Sequence, residues 1–179
     1  MFALNRNTIG LFGGSFDPPH KGHVQISKIS LKKIKLKKIY WIITKKNPFK
    51  NKAFYSLDDR IKYAKKITQS QKKIKIIHLD NIIKSSRIID VINYFIKKKK
   101  IENIYFVIGS DNLIRFHKWK SWKKIVKLVK LIVFSRKGYD RKGMKSAVVK
   151  NFKNRIIFIK NKPISISSTQ LKKRTSLNF

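Results

Sequence analysis

Short apolar runs alternate along the chain with longer segments in which apolar residues recur with a helical period. The short runs consist mainly of isoleucine, valine, phenylalanine and tyrosine, so they predict strands covered on both faces, as in a parallel sheet. The predicted strands are Thr8–Phe12, Lys38–Thr44, Ile74–Leu79, Ile104–Ile108, Lys130–Ser135 and Ile156–Lys160.

The segments between these runs predict helices. Ser56 followed by Asp59 resembles a capping box at the start of one helix, with Asp in the usual place of Glu. The predicted helices are His20–Lys32, Leu57–Thr68, Ile88–Lys98, Trp122–Val126, Gly143–Phe152 and one that starts near Ser168. This alternation implies an α/β fold with a doubly wound, Rossmann-like, mostly parallel sheet and helices on both faces. Ligands of such sheets bind beyond the C-terminal ends of the strands, near the point where the strand order reverses.

Composition indicates one domain over residues 1–179, because 42% hydrophobic residues in a chain of this length suffice for one core. Cysteine is absent, which excludes disulfides and cysteine-based metal sites. The chain shows no apolar stretch of signal-peptide length at its N-terminus and no apolar run near the roughly 20 residues that span a bilayer. We therefore expect a cytoplasmic protein with no membrane partner.

The charge balance permits two interpretations. The chain has 45 Lys+Arg against 8 Asp+Glu, a formal net charge of +37, which is typical of proteins that neutralise nucleic-acid phosphates. The lysines, however, are spread over every segment instead of forming one patch or tail. This spread favours a compositional origin, with incidental attraction to phosphates, and we expect no specific nucleic-acid partner.

The segment Gly13–His23 reads GGSFDPPHKGH and carries the chemistry. Its glycines follow the first predicted strand, where backbone can turn sharply and approach a phosphate closely. The start of the next helix adds unpaired N–H groups and a positive dipole end. His20 and His23 are neighbours on one helical face, and Gly22 between them removes bulk beside the site. Paired imidazoles at a phosphate-binding turn predict nucleotidyl transfer from a nucleoside triphosphate.

This motif resembles the (H/T)xGH signature of the nucleotidylyltransferase superfamily. The form Gly-Gly-Ser-Phe-Asp-Pro-Pro-His is similar to that of the bacterial nicotinate-nucleotide adenylyltransferase family. The resemblance implies adenylyl transfer from ATP to nicotinate mononucleotide, which gives deamido-NAD and pyrophosphate in NAD biosynthesis. It also implies that His20 and His23 are catalytic, with His23 facing the α-phosphate. The ATP-binding residues implied in this segment are Gly13, Gly14, Ser15, Phe16 and Gly22.

Two later segments extend the expected ATP site. Gly109 and Asp111 follow a predicted strand and resemble the family's G-(S/A/Q)-D-(N/S)-L motif, which contacts the nucleotide ribose. Capping of a helix is the alternative role for Asp111. The segment 166–174 matches the family's ISSTxIRxR pattern, which implies that Ser168, Thr169 and Lys172 bind the β- and γ-phosphates. An ordinary helix N-cap is the alternative there.

Three further residues are expected to bind the pyridine nucleotide. Trp119 stands where the family has a tryptophan that stacks on the pyridine ring, and stacking on indole is physically favourable. Lys50 stands where the family has a cation for the substrate phosphate, although a solvated lysine is a strong alternative in this chain. Arg136 lies in a segment similar to the family's strand-to-loop segment that ends in Arg-x-Gly-Tyr.

The chain departs from the family pattern at several positions, which keeps alternatives open. Lys172 replaces an arginine, and Arg87 and Ile88 interrupt the stretch near the nicotinate carboxylate. Nicotinamide mononucleotide or phosphopantetheine therefore remains an alternative acceptor, and a basic nucleic-acid-binding module is the alternative from another class. With only 8 acidic residues and no carboxylate cage, we expect Mg²⁺ to arrive with ATP and no dedicated metal site. The pattern leaves a monomer and a homo-oligomer equally open.

Overall fold

Six parallel strands form the centre of the fold in the computed structural model, which describes residues 7–45 and 53–161. The strands are β1 (Ile9–Gly14), β2 (Lys38–Ile43), β3 (Ile74–Ile77), β4 (Ile104–Gly109), β5 (Lys130–Phe134) and β6 (Ile156–Ile159). Their order is β3-β2-β1-β4-β5-β6, and every neighbouring pair is parallel. The predicted doubly wound α/β sheet is confirmed.

The helices of the described residues connect these strands. They are α1 (Lys21–Lys33), α2 (Leu57–Thr68), α3 (Asp80–Ile83), α4 (Ile88–Lys99), α5 (Ser110–Arg115), α6 (Trp122–Leu128), α7 (Asp140–Met144) and α8 (Ala147–Phe152). The prediction of one helix over Gly143–Phe152 is wrong, because the backbone becomes extended at Ser146, with φ −68° and ψ 157°, and separates α7 from α8. The helix predicted near Ser168 lies outside the described residues. Within the described ranges, no helix has the length and apolar character that crossing a membrane requires.

Side chains of successive strand residues enter two separate cores, one on each face of the sheet. In β2, Trp41 and Ile43 belong to one core and Ile42 to the other, as the two-residue period of a strand requires. Ala64 of α2 packs in the first core, and Ile92 of α4 packs in the second. Helices therefore cover both faces, which explains why the strands read as nearly continuous apolar runs.

The strand order reverses between β1 and β4. The chain passes from β1 outward through β2 and β3, and then returns to β4 on the other side of β1. The C-terminal ends of β1 and β4 therefore lie side by side, with Phe12 opposite Val107 in the register. Open α/β sheets bind ligands at such a reversal, and the predicted motifs follow these two strands.

Candidate functional site

The turn after β1 differs in one respect from the sequence prediction. Gly13 and Gly14 do not follow the strand but end it, paired in register with Ile42 and Ile43 of β2. The left-handed backbone occurs later, at Phe16, whose φ is 45°. A Cβ at Gly13 would lie 3.5 Å from Phe106 and 3.8 Å from Ile88, which are ordinary contacts, so the neighbouring side chains do not by themselves require glycine.

His20 is the N-cap of α1 and not its first helical residue, because its backbone is extended, with φ −151° and ψ 170°. Its Nδ1 atom accepts a hydrogen bond of 3.1 Å from the Gly22 N–H. The His23 Nδ1 atom accepts one of 3.1 Å from the His20 N–H. The two imidazoles thus form a reciprocal capping box, and their ring centroids lie 3.9 Å apart. The predicted pairing of the histidines is confirmed, with His20 just outside the helix.

These hydrogen bonds fix the tautomer of both rings. An Nδ1 atom that accepts from a backbone N–H carries no proton, so each neutral ring carries its proton on Nε2 and can donate from that atom. Burial, and secondarily the charge of Arg136, lowers the pKa of His20 to about 4. His20 is therefore neutral at physiological pH, and its Nε2–H is able to donate a hydrogen bond without a charge on the ring.

Aromatic rings support His23 from the side of the sheet. Its ring centroid lies 4.8 Å from that of Phe16, and Phe16 stacks on Trp41 at 4.8 Å with an interplanar angle of 14°. The Trp41 Nε1–H donates to Ser27 Oγ at 2.7 Å, and Ser27 Oγ donates to the His23 carbonyl at 2.9 Å. Trp41 and Ser27 are completely buried. The first turns of α1 are therefore held in a fixed position against β2.

The Gly109 segment brings a carboxylate and a guanidinium together at the end of β4. Asp111 Oδ1 lies 3.2 Å from Arg136 Nε. A Cβ at Gly109 would lie 2.3 Å from Asp111 Oδ1 and 2.7 Å from Arg136 Nε, so the pair requires glycine at this position. The N-cap of α5 is Gly109, and no side chain caps this helix. Capping, the alternative considered for Asp111, is therefore not its role.

Asp140 organises the backbone that carries Arg136. It accepts hydrogen bonds from Ser110 Oγ at 2.6 Å, from the Arg136 N–H at 2.9 Å and from Ser135 Oγ. Burial alone raises the pKa of Asp140, but these hydrogen bonds and the charge of Lys160 outweigh it and lower the pKa below its ordinary value. A carboxylate that stays ionised thus joins the Gly109 segment to the loop after β5.

Trp119 lies at the end of the 3₁₀ turn Phe116–Lys118 and is half-buried. Its ring stacks on Phe116 with centroids 4.9 Å apart and an interplanar angle of 27°. It also meets Phe106 of β4 edge to face, at 5.9 Å. Trp119 therefore packs against β4, the strand that ends at Gly109.

The structure brings most of the described predicted residues to one edge of the sheet. Arg136 lies beside Asp111 and near enough to His20 to affect its pKa, so it adjoins the residues expected to bind ATP. Its assignment to the pyridine nucleotide stays a prediction. The predicted site residues at this edge are Gly13, Gly14, Ser15, Phe16, His20, Gly22, His23, Gly109, Asp111, Trp119 and Arg136. Those outside the described residues are Lys50, Ser168, Thr169 and Lys172.

Comparison with known proteins identifies the family. Residues 11–174 match the family model described as cytidylyltransferase-like. The chain belongs to this cytidylyltransferase-like family. A Pelagibacter ubique protein named probable nicotinate-nucleotide adenylyltransferase is 50% identical over 169 residues, which cover 94% of this chain and 93% of that protein. A protein of the same name from Endomicrobium trichonymphae is 33% identical over 168 residues, which cover 92% and 84%.

A solved structure of the family's fold agrees with the architecture described above. Plasmodium falciparum nicotinic acid mononucleotide adenylyltransferase complexed with NaAD superposes with a TM-score of 0.73 at 18% identity. The superposition covers 93% of this chain and 83% of that one. This similarity establishes the fold of the cytidylyltransferase-like chain.

Sequence reasoning missed the residues that hold the site in place. Arg60 is 2% exposed and contacts the Ser15 turn. Asp17 accepts a hydrogen bond from the distant Phe54 backbone, and Asp140 accepts one from the distant Ser110 hydroxyl. A signal existed for Arg60, because it lies one helical turn before the buried Ala64 and so falls on the apolar face of α2. Asp17 and Asp140 gave no such signal, since only the tertiary fold brings the Phe54 N–H to Asp17 and the Ser110 hydroxyl to Asp140.

Proposed function

We propose that this chain transfers the adenylyl group of ATP to nicotinate mononucleotide, forming deamido-NAD and releasing pyrophosphate. The observation that carries the proposal is the His20–His23 pair, two imidazoles fixed as Nε2–H donors at the start of α1 beside the β1–β4 reversal. The names of the relatives at 50% and 33% identity support the same reaction. In this proposal the step belongs to NAD biosynthesis.

The reaction needs little covalent chemistry from the protein. An oxygen of the acceptor phosphate forms a bond to the α-phosphorus of ATP, while the bond from that phosphorus to the bridging oxygen of the leaving pyrophosphate breaks. A phosphate monoester is largely anionic at neutral pH, because its second pKa is about 6, so no general base is required. Catalysis then consists of positioning the two reactants and stabilising the developing negative charge.

In this mechanism His20 and His23 donate Nε2–H hydrogen bonds to phosphate oxygens, and His23 serves the α-phosphate under attack. The neutral state of His20 suits donation, because burial and Arg136 lower its pKa to about 4. The start of α1 adds N–H groups and a positive dipole end. Gly13 and Gly14 allow the triphosphate to approach the backbone of β1. The remaining ATP-binding residues in this turn are Ser15, Phe16 and Gly22.

The other roles follow from chemistry and from the family resemblance. Gly109 and Asp111 would receive the ribose hydroxyls of ATP, with Arg136 holding the Asp111 carboxylate in place. Trp119 would stack on the pyridine ring, since its ring is already oriented by Phe116 and Phe106. Lys50 would meet the acceptor phosphate, and Ser168, Thr169 and Lys172 would bind the β- and γ-phosphates.

Mg²⁺ enters the proposal as part of the ATP complex. Over residues 7–45 and 53–161, no group of three or more histidine or acidic side chains could hold a metal ion. Asp111 and Asp140 are committed to Arg136 and to the loop after β5. A divalent ion bound through the triphosphate matches Mg²⁺, which keeps several waters and needs few protein ligands. When bound, it would neutralise charge on the leaving pyrophosphate.

The acceptor can be tested directly by following pyrophosphate release from ATP with each candidate acceptor. We expect the highest kcat/KM with nicotinate mononucleotide, a lower value with nicotinamide mononucleotide and no turnover with phosphopantetheine. The ratio of the first two values measures the preference of the site for the acid over the amide. Turnover with phosphopantetheine alone would contradict the proposed acceptor.

A further inference from the structure

Arg60 of α2 is a buried cation whose hydrogen bonds to the described residues all go to backbone carbonyls. Its Nη1 atom donates to the Ser15 carbonyl at 2.6 Å and to the Thr44 carbonyl at 2.9 Å. Its Nε atom donates to the Tyr55 and Ser56 carbonyls, both at 3.2 Å. Its Nη2 atom approaches the Lys45 carbonyl at 3.5 Å. One guanidinium therefore joins three parts of the chain that are far apart in sequence.

These three parts have a common location. Ser15 belongs to the turn between β1 and His20, and Thr44 and Lys45 begin the connection that leaves β2. Tyr55 and Ser56 end that connection, just before α2. Arg60 thus attaches both ends of the β2–α2 connection to the turn that precedes the paired histidines.

Asp17 strengthens the same attachment, because this residue of the turn accepts hydrogen bonds from the β2–α2 connection. Its Oδ2 atom accepts from the Phe54 N–H and its Oδ1 atom from the Tyr55 N–H, both at 2.9 Å. Asp17 is 6% exposed and Arg60 is 2% exposed. The carboxylates of Asp17 and Asp80 favour the charged form of Arg60, although burial is the larger effect and lowers its pKa.

A buried charge at this position is costly, since an apolar side chain on the same face of α2 would pack without desolvation. Within residues 7–45 and 53–161, every hydrogen bond of the guanidinium goes to a loop or strand end at the site edge of the sheet. The planar guanidinium offers five N–H donors in a fixed arrangement, whereas an ammonium offers three and an apolar group offers none.

We infer that Arg60 is a positioning residue that fixes the histidine-bearing turn relative to the β2–α2 connection. This inference rests on the proposed function, in which the turn holds ATP and Lys50 meets the acceptor phosphate. Arg60 then sets the distance across which the acceptor oxygen approaches the α-phosphorus. A displacement of about 1 Å at a reacting centre can lower a rate roughly 100-fold.

The test compares Arg60→Lys with Arg155→Lys in the full chain. Arg155 is a matched control, because it also donates to backbone carbonyls, those of Val126 and Lys127, but stands before β6 at the opposite edge of the sheet. Steady-state kinetics with ATP and nicotinate mononucleotide are measured at least 10 degrees below each variant's Tm. We expect kcat to fall at least tenfold in Arg60→Lys, with a change of less than threefold in the KM for ATP. Arg155→Lys should stay within twofold of the wild type in both parameters.

A lowered Tm with unchanged kcat in Arg60→Lys would overturn the inference and leave Arg60 as a purely structural residue. If Arg60→Lys does not fold, the same kinetics are measured on Asp17→Asn. This substitution preserves the size of the side chain but replaces one acceptor oxygen with a donor, so it weakens the same attachment. The same tenfold fall in kcat then supports the inference, and normal turnover overturns it.

Amide hydrogen exchange separates this inference from the proposed function. We expect the peptides that contain residues 14–18 and 53–56 to exchange at least tenfold faster in Arg60→Lys than in the wild type, and at the wild-type rate in Arg155→Lys. Unchanged protection in Arg60→Lys would overturn the attachment itself. A wild-type protein that released no pyrophosphate would instead refute the proposed function. The exchange data would still show whether Arg60 attaches the turn to the connection.

Discussion

At the residue scale, the site depends on which nitrogen of each imidazole accepts a hydrogen bond and which one carries the proton. Nδ1 of each ring accepts a backbone N–H within the capping box of α1, which leaves the proton on Nε2. A neutral donor of this kind needs no proton uptake before ATP binds. Positive charge is supplied separately, by Arg136 beside Asp111 and by the N-terminal end of the helix.

We predict that His20 titrates with a pKa of about 4 and is the Nε2–H tautomer when neutral. Nitrogen-15 NMR of the imidazole reports both properties. Arg136→Gln should raise the pKa, since it removes the smaller of the two causes and leaves burial in place. A His20 pKa near the ordinary 6.5, or a proton on Nδ1, would contradict this description.

The same depressed pKa has a consequence for stability. Unfolding returns His20 to a pKa of about 6.5, so the unfolded chain binds more protons below that pH, and stability falls as the pH drops from about 6.5 towards 4. His20→Asn should reduce this part of the pH dependence, because Asn caps a helix well and does not titrate. Urea unfolding at pH 7 and pH 4.5 measures the difference. Identical pH dependence in the two proteins would rule out a contribution from His20.

At the element scale, the placement of α1 depends on one buried hydrogen bond to the sheet. The indole N–H of Trp41 donates to Ser27 Oγ, so Ser27 determines how the helix docks on β2. Ser30 is equally buried, but its hydroxyl bonds only within the helix, to the Ile26 carbonyl at 2.9 Å. The two serines therefore form a matched pair.

We predict that Ser27→Ala lowers the free energy of unfolding by about 1–3 kcal/mol, because it leaves the Trp41 N–H buried without its acceptor. Ser30→Ala should lower the free energy of unfolding by less than about 1 kcal/mol, since the Ile26 carbonyl that loses the hydroxyl stays within the hydrogen-bonding pattern of the helix. Urea denaturation measures both losses. Equal losses, or a larger one for Ser30→Ala, would show that the Trp41 bond does not anchor α1.

The elements themselves differ in how well the sequence predicts them. The long helices and the six strands of the described residues were predictable, because apolar period and run length dominate their energetics. α3 (Asp80–Ile83) and α5 (Ser110–Arg115) are too short to show a period. The capping position of His20 was not predictable, since imidazole is an unusual cap and the pairing appears only when both rings are placed. The carbonyl partners of Arg60 likewise depend on tertiary contacts between distant segments.

At the scale of the whole molecule, half of the few acidic residues make specific contacts near the site. Of the 8 Asp and Glu residues, four bind loops or cations at the C-terminal edge of the sheet. These are Asp17 at Phe54 and Tyr55, Asp80 at Lys45, Asp111 at Arg136, and Asp140 at Ser110 and Arg136. Few carboxylates remain elsewhere to offset the lysines, and with a net charge of +37 the cations repel one another.

We predict that the Tm rises when NaCl is increased from about 20 mM to about 300 mM, because salt screens repulsion among the exposed lysines. Differential scanning calorimetry measures the change, with sucrose at matched osmolality as the control for a non-ionic effect. A Tm that falls with salt would mean that attractive ion pairs outweigh the repulsion.

The central claim is that the paired histidines serve adenylyl transfer, and tracing the label of ATP tests it most directly. ATP labelled with ³²P at the α-phosphate is incubated with nicotinate mononucleotide and either the wild type or His23→Ala. We predict that the label appears in deamido-NAD with equimolar pyrophosphate, and that His23→Ala, still folded, does so roughly 100- to 1000-fold more slowly. Label recovered in ADP or AMP without a dinucleotide, or near-normal transfer by His23→Ala, would contradict the account.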